Sequence, residues 1–237
     1  RDLAWSRGLG DVYKRQLSLD LIYGLPDLNV EEWKSQIQTA LDLGVEHISA
    51  YCLTVEEKTV LAKKVERGQI IPADESMQRE HFKVLVTELE KAGLERYEVS
   101  NFCRDQKYSR HNTAYWQGIP YLGIGPSAHS FDGQNRAFNI ANNAEYMRQI
   151  ESGNLPLETD RLRPSDRFNE LLMTGLRTKW GVSLEKLEEN AALSPTFTKK
   201  VAEFCQNGWM IQKNNTLFLN DEGWLMADHI ASELFLV

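Results

Sequence analysis

The stretch LSLDLIYGLPDLNVEEWKSQIQTALDLGVEHISAYCL, residues 17–53, decides the fold. Leu17 to Tyr23 is a short apolar run broken by Asp20 and closed by Gly24 and Pro26. That is the pattern of a strand buried on both faces, as in a parallel sheet. Asn29 stands where a helix cap is needed, and Glu32 three residues on completes a capping box. Val30, Trp33, Ile37, Ala40 and Leu41 share one face of the helix, and Gly44 stops it. His47 to Leu53 forms a second strand. Strand, helix and strand within about thirty-five residues make a βαβ unit, because parallel strands need a crossover between them.

Upstream, Arg1 to Gln16 (RDLAWSRGLGDVYKRQ) shows no sustained period and enters the strand without a turn signal. Its GLGDVYKRQ resembles translated adapter sequence, so residues 1–16 are expected to be non-native or disordered, with the natural protein beginning further upstream. Downstream, a charged connection through Arg67-Gly68 leads to a helix over about Asp74–Ala92, stopped by Gly93. Met77, Phe82, Leu85, Val86 and Leu89 give it a core face. Tyr97 to Phe102 is extended. Residues 108–130, rich in turn formers and aromatics, fit loops and short strands. After a polar bridge around Pro156 and Pro164 the pattern becomes helical: Arg167–Leu176, Leu184–Glu189, Pro195–Asn207 and Gly223–Leu236. A hairpin, Trp209–Lys213 and Thr216–Leu219 around Asn214-Asn215, precedes the last of these. Helices with a small hairpin suggest a winged-helix-like module.

The bulk composition narrows the function classes. Net charge is −7, from 27 basic and 34 acidic residues, which argues against a general polyanion binder. Residues 165–237 carry 7 Lys/Arg against 10 Asp/Glu, so the helical module lacks the basic face that DNA requires. No apolar run approaches the roughly 18 residues of a membrane span. Cys52, Cys103 and Cys205 are odd in number and far apart, which fits a reducing cytoplasm. Their spacing could not hold a zinc ion or an iron–sulfur cluster.

Three groups of residues could carry chemistry. Asp20 is a carboxylate within an apolar strand, so it is either a structural acceptor of backbone hydrogen bonds or a contact to a ligand's hydroxyls or amine. His111-Asn112-Thr113-Ala114-Tyr115-Trp116 joins a metal-capable imidazole to a phenol and an indole. On a helix His111 and Tyr115 share a face; on a strand Thr113 joins them. A structural, hydrogen-bonded histidine is the plainer reading, but haem iron needs a single protein ligand. Gly123-Ile124-Gly125-Pro126-Ser127-Ala128 formally fits a dinucleotide fingerprint. The short preceding strand, Pro126 and the Asp132-Gly133 turn rule that out. What remains is a close-approach turn with Ser127, His129 and Ser130 beside it.

DLIYGLP (20–26), HISAYCLT (47–54), YEVSNF (97–102), RHNTAYW (110–116) and YLGIGPSAHS (121–130) together resemble one family. It is the radical S-adenosylmethionine proteins related to oxygen-independent coproporphyrinogen III oxidase, and HNxxYW marks its haem-chaperone branch. The resemblance covers about residues 17–237 and implies an α/β fold. Residues 17–150 would be the C-terminal part of a partial (β/α)6 barrel, and 160–237 a mostly helical, winged-helix-like domain of the oxidase type. It also implies that Asp20, Ala50 and His129 line the S-adenosylmethionine region. His111, as candidate haem-iron ligand, would form a haem site with Asn112, Tyr115 and Trp116. Cofactors of the intact protein would be a [4Fe–4S] cluster and S-adenosylmethionine. Its partners would be haem and haem-acceptor proteins, some at a membrane surface, with no nucleic acid, and its location cytoplasmic.

The departures from the family are specific. The CxxxCxxC loop and the glycine-rich strand end after it are missing, and Leu28 stands where the family usually has Gln. The chain is therefore expected to be a fragment unable to cleave S-adenosylmethionine, with exposed strand edges and poor solubility. Three functional readings stay open. The first is a haem-binding chaperone; the second is an oxidase that decarboxylates two propionates of coproporphyrinogen III; the third is a cofactor-free interaction module.

Overall fold

The computed structural model describes residues 17–236, so the adapter-like reading of residues 1–16 lies outside the described residues. Two compact units divide the chain at Ser109–Arg110. The HNTAYW and GIGPSAHS segments therefore fall in the same unit as the helical part, whereas the family resemblance groups them with residues 17–150.

The first unit runs β1 (Ser18–Tyr23), α1 (Val30–Asp42), β2 (His47–Cys52), α2 (Val60–Glu66), α3 (Glu75–Lys91), β3 (Glu95–Arg96) and β4 (Asn101–Cys103). Its sheet has the order β1-β2-β4-β3. The expected βαβ unit is present, with β1 and β2 parallel in the register Asp20↔Ser49 and Leu21↔Ala50. Asn29 caps α1, and the full capping box with Glu32 forms. α3 begins after its Asp74 cap, close to the expected start, and α2 occupies the charged connection behind a Thr59 cap. β1 departs from its expected burial: side chains alternate between exposed and half-buried rather than being covered on both faces. Among the described residues β1 pairs with β2 alone, and the helices cover one of its faces. On the helix face Tyr23 packs against Trp33 of α1 and Phe82 of α3, with ring centroids 6.0 and 6.2 Å apart. Trp33, Ile37, Leu85, Leu89 and Phe102 are fully buried and form this unit's apolar core.

The second unit contains α4 (Arg110–Trp116), β5 (His129–Phe131), β6 (Asn135–Asn139), α5 (Asn143–Glu151), β7 (Leu157–Arg161), α6 (Pro164–Gly175), β8 (Val182–Ser183), α7 (Leu184–Glu188), α8 (Pro195–Gln206), β9 (Met210–Lys213), β10 (Thr216–Leu219), α9 (Asp221–Trp224) and α10 (Ala227–Glu233). Strands β5, β6 and β7 form an antiparallel meander, and β8-β10-β9 a small second sheet. The hairpin falls where expected: Asn214 and Asn215 both take positive φ, 49° and 59°, as a tight two-residue turn demands. The single helix expected over Gly223–Leu236 is split, because Met226 at φ −121°, ψ 18° leaves the helical region. HNTAYW is also corrected. It lies on helix α4 and not on loops and short strands.

Candidate functional site

In the first unit, the parallel register sets the side chains of Ser18 and Asp20 on the same sheet face as His47 and Ser49. Asn101 is paired with Ser49 from β4 and joins that face. Ser18 Oγ lies 2.8 Å from His47 Nδ1, and Tyr97 Oη lies 2.7 Å from His47 Nε2. Tyr97 Oη also accepts the Ser109 N–H at 3.2 Å, so Ser18, His47, Tyr97 and Ser109 form one hydrogen-bonded chain. Burial lowers the His47 pKa, partly opposed by the negative charge of Asp20. It raises that of Tyr97, so both groups are held neutral. Ala50 is paired with Leu21 and buried, and its side chain faces the helices. Asp20 and Ala50, expected to line one region, thus present side chains to opposite faces of the sheet.

The turn after β1 is held from α3. The Gly24 N–H donates to His81 Nδ1 at 3.3 Å, and Trp33 Nε1–H donates to the His81 carbonyl at 2.9 Å. Gly24 itself needs its positive φ of 70° to make this turn. Burial lowers the His81 pKa, which preserves the lone pair that accepts from Gly24.

In the second unit, helical spacing puts His111 and Tyr115 on one face of α4. Their rings meet edge-on, 4.9 Å apart at 89°, with His111 exposed. Tyr115 in turn meets Tyr121 at 4.7 Å, and Tyr121 lies 6.2 Å from Phe131. Backbone bonds of 2.8 and 2.9 Å between Tyr121 and Phe131 anchor this row of rings to β5. Asn112 and Trp116 are half-buried. Leu122 and Ile124 stand 79% and 84% exposed in the same loop, so apolar surface follows α4 in the sequence. An exposed imidazole whose ring is restrained by a phenol suits an iron ligand for a flat apolar cargo such as haem.

The GIGPSA turn is fastened by a residue that carried no sequence signal. Asn139 of β6 is buried, and its Nδ2 donates to the carbonyls of Gly125 at 2.8 Å and Gly123 at 3.3 Å. Ser130 Oγ accepts the Gly123 N–H at 2.9 Å, and Tyr146 Oη accepts that of Gly125 at 3.3 Å. Gly123 is required because a Cβ there would lie 2.2 Å from the His129 carbonyl oxygen. The His129 side chain is exposed, its ring 5.8 Å from Phe138. Asn139, Tyr146 and His81 escape sequence reading. Each acts on a segment distant in sequence, and only the pairing of a polar side chain with an open backbone group would mark it.

The HemN C-terminal domain model matches residues 157–226. "Heme chaperone HemW" of Bacillus subtilis is 29% identical over 217 residues, 90% of this chain and 57% of that protein. "Radical S-adenosyl methionine domain-containing protein 1, mitochondrial" of Mus musculus is 33% identical over 97% of this chain and 54% of its own length. The chain is a homologue of the HemW haem chaperones. As such it spans about half the length of the curated relatives it matches. The fold agrees: coproporphyrinogen III oxidase (HemN) from Escherichia coli, described as a radical SAM enzyme, superposes with a TM-score of 0.71 over 92% of this chain and 54% of that one, at 16% identity.

The sites expected of a HemW homologue differ in how well these residues suit them. The acceptor-rich face around Asp20 fits an adenosyl compound, and Asn101 Oδ1 there is buried without a hydrogen-bond partner among the described residues. An iron–sulfur cluster does not fit. Among the described residues no group of three or more His, Cys, Asp or Glu could hold a metal ion, and Cys52, Cys103 and Cys205 form no disulfide.

Proposed function

We propose that this chain is the haem-holding portion of a haem chaperone, which carries haem to acceptor proteins. The observation that carries the reading is His111: an exposed imidazole on α4, held edge-on by Tyr115 inside HNTAYW. The role of His111 is to give a ring-nitrogen lone pair to the iron of the cargo. Tyr115 limits rotation of that ring, and Asn112 and Trp116 shape the site around it. Residues 17–150 are read as the C-terminal part of a partial (β/α)6 barrel and 160–237 as a winged-helix-like domain. Asp20 by its side chain, Ala50 by its backbone, and His129 then border the S-adenosylmethionine region of the intact protein. Bound there in an intact protein that also holds a [4Fe–4S] cluster, S-adenosylmethionine would supply radical chemistry. The residues of this chain contribute binding and orientation, and no cluster ligand.

Among the described residues no helix is long and apolar enough to cross a membrane. The reading makes the chain part of a cytoplasmic carrier that touches membrane acceptors from the side. A second reading, decarboxylation of coproporphyrinogen III, draws on the HemN-like fold. It ranks lower because the HemW relatives are nearer in sequence, at about twice the identity. Hemin titration followed at the Soret band separates the two. Saturable binding that weakens at least tenfold in His111→Ala is expected. Unchanged affinity in that variant removes His111 from the site, and absence of binding favours the oxidase.

A further inference from the structure

The row of rings that begins at His111 runs on past HNTAYW, and all of it lies in the second unit. Tyr121 pairs with Phe131, Phe131 with Arg136 of β6, and Arg136 with Asp160 of β7. Directly opposed residues share a sheet face, so these side chains stand in one line across the strands. Tyr115 of α4 meets the Tyr121 ring at 4.7 Å and joins the line at its start. Tyr115 is 44% exposed and Tyr121, Phe131 and Arg136 are half-buried, so none of them is closed off from a ligand. Arg136 ends the aromatic stretch, its guanidinium carbon 6.0 Å from the Phe131 ring centre. Glu170 of α6 holds it from one side, with Oε1 3.0 Å from Nε. That contact is an ion pair without hydrogen-bond alignment, since Nε has no hydrogen-bond partner among the described residues. Asp160, its neighbour in the line, forms no ion pair with it among those residues. A guanidinium carries a fork of N–H donors, and one held in place with those donors unmatched is unusual.

We infer that the flat cargo lies along this line, with its ring over Tyr121 and Phe131 and one of its carboxylates on Arg136. Rings that end in an unmatched guanidinium call for a complement that is planar, largely apolar and anionic at one edge. Haem is such a molecule: a conjugated ring with two propionates on the same side, both ionised at neutral pH. Tyr121 and Arg136 are two strand spacings from each other, so they stand about 10 Å apart. That run places the body of a porphyrin between an aromatic end and a charged end. The planar fork of Arg136 can give a carboxylate two parallel N–H···O bonds, and the ion pair with Glu170 fixes where the fork sits. An imidazole on the iron does not distinguish one iron porphyrin from another. A guanidinium at the far end selects those with a free carboxylate. The inference rests on the proposed reading of His111 as the iron ligand, and it adds Tyr121, Phe131 and Arg136 and a rule of selection to it.

The test uses three probes on the full chain: hemin, hemin dimethyl ester and iron-free protoporphyrin IX. The first two are followed at the Soret band and the third by its fluorescence. Hemin should bind at least fivefold more tightly than its ester. Arg136→Gln should remove that difference by weakening hemin and leaving the ester unchanged. Protoporphyrin IX keeps the carboxylates and lacks the iron, so it should lose affinity in Arg136→Gln and keep it in His111→Ala. Phe131→Leu should weaken all three probes, because each has the same ring. Equal affinities of the unmodified chain for hemin and its ester overturn the inference, whether or not Arg136→Gln folds. An Arg136→Gln chain that loses hemin and ester alike also overturns it, since the effect then comes from the fold. If His111→Ala weakens hemin and Arg136→Gln does not, the inference fails while the reading of His111 stands. If hemin does not bind, or binds independently of His111, the reading fails and the inference with it, because the line then has no iron ligand at its other end.

Discussion

Replacing Asn139 by Ala tests whether the GIGPSA turn is held by side-chain hydrogen bonds or by its own backbone. The change removes two N–H···O bonds, of 2.8 Å to Gly125 and 3.3 Å to Gly123, and leaves the backbone bond from Asn139 N–H to Ala128 intact. At about 1 kcal/mol net per bond, the loss is about 2 kcal/mol. For a unit of this size that lowers the melting temperature by about 6–10 °C. Asn139→Asp is the sharper variant, because a carboxylate has no donor and would face two carbonyl oxygens. Its native-state pKa is then raised, so at neutral pH it should be less stable than the Ala variant and recover as acid protonates it. Thermal melts and urea titrations, followed by near-UV circular dichroism, measure both effects. A loss under 0.5 kcal/mol in Asn139→Ala, or an Asp variant as stable as Ala at pH 7, would refute the clamp.

Gly123→Ala should cost more than Asn139→Ala, since the new Cβ meets the backbone oxygen of His129 at 2.2 Å and a main-chain atom cannot step aside. Gly118, with open space around it but φ of 64°, is the control, and its Ala variant should lose only about 1 kcal/mol by urea titration. Stability of the first unit should also depend on pH. The native pKa values of His47 and His81 lie below the ordinary histidine value, so the unfolded chain takes up protons that the native state refuses. The contribution is complete above the unfolded pKa of about 6.5 and is lost as pH falls through it toward the native values. The melting temperature should therefore drop between pH 7 and 5 and drop less in His47→Gln; a flat profile would contradict the burial of these rings in neutral form.

Sequence reading succeeded wherever the deciding interaction is local. The Asn29–Glu32 capping box, the Asn214-Asn215 turn and the apolar stripe of Trp33 and Ile37 are each written within a few residues. The β5-β6-β7 meander was not legible, because β7 is LETDR, charged and exposed throughout, and its place in the sheet comes from pairing alone. The seven residues of α4 are too few for helical periodicity to speak against their turn-rich surroundings. The candidate site was legible as a set of residue types. Its geometry was not: strand alternation turns Ala50 away from Asp20, and a distant asparagine holds the glycine turn.

The bonds joining Ser18, His47, Tyr97 and Ser109 tie both ends of the first unit to its middle, and this bears on how the chain folds during synthesis. β1, α1 and β2 leave the ribosome before Tyr97 and can pair at once, yet His47 cannot be buried with both nitrogens satisfied until Tyr97 arrives. Translation of the roughly 56 residues between Leu53 and Ser109 takes roughly 3–11 s. Through that interval the nascent βαβ unit displays a polar face and an unpaired β2 edge, a natural client for a chaperone that holds open sheets. Ser109 supplies the last of these three hydrogen bonds, so the fully bonded state of His47 awaits synthesis of the whole first unit and is not a product of local folding.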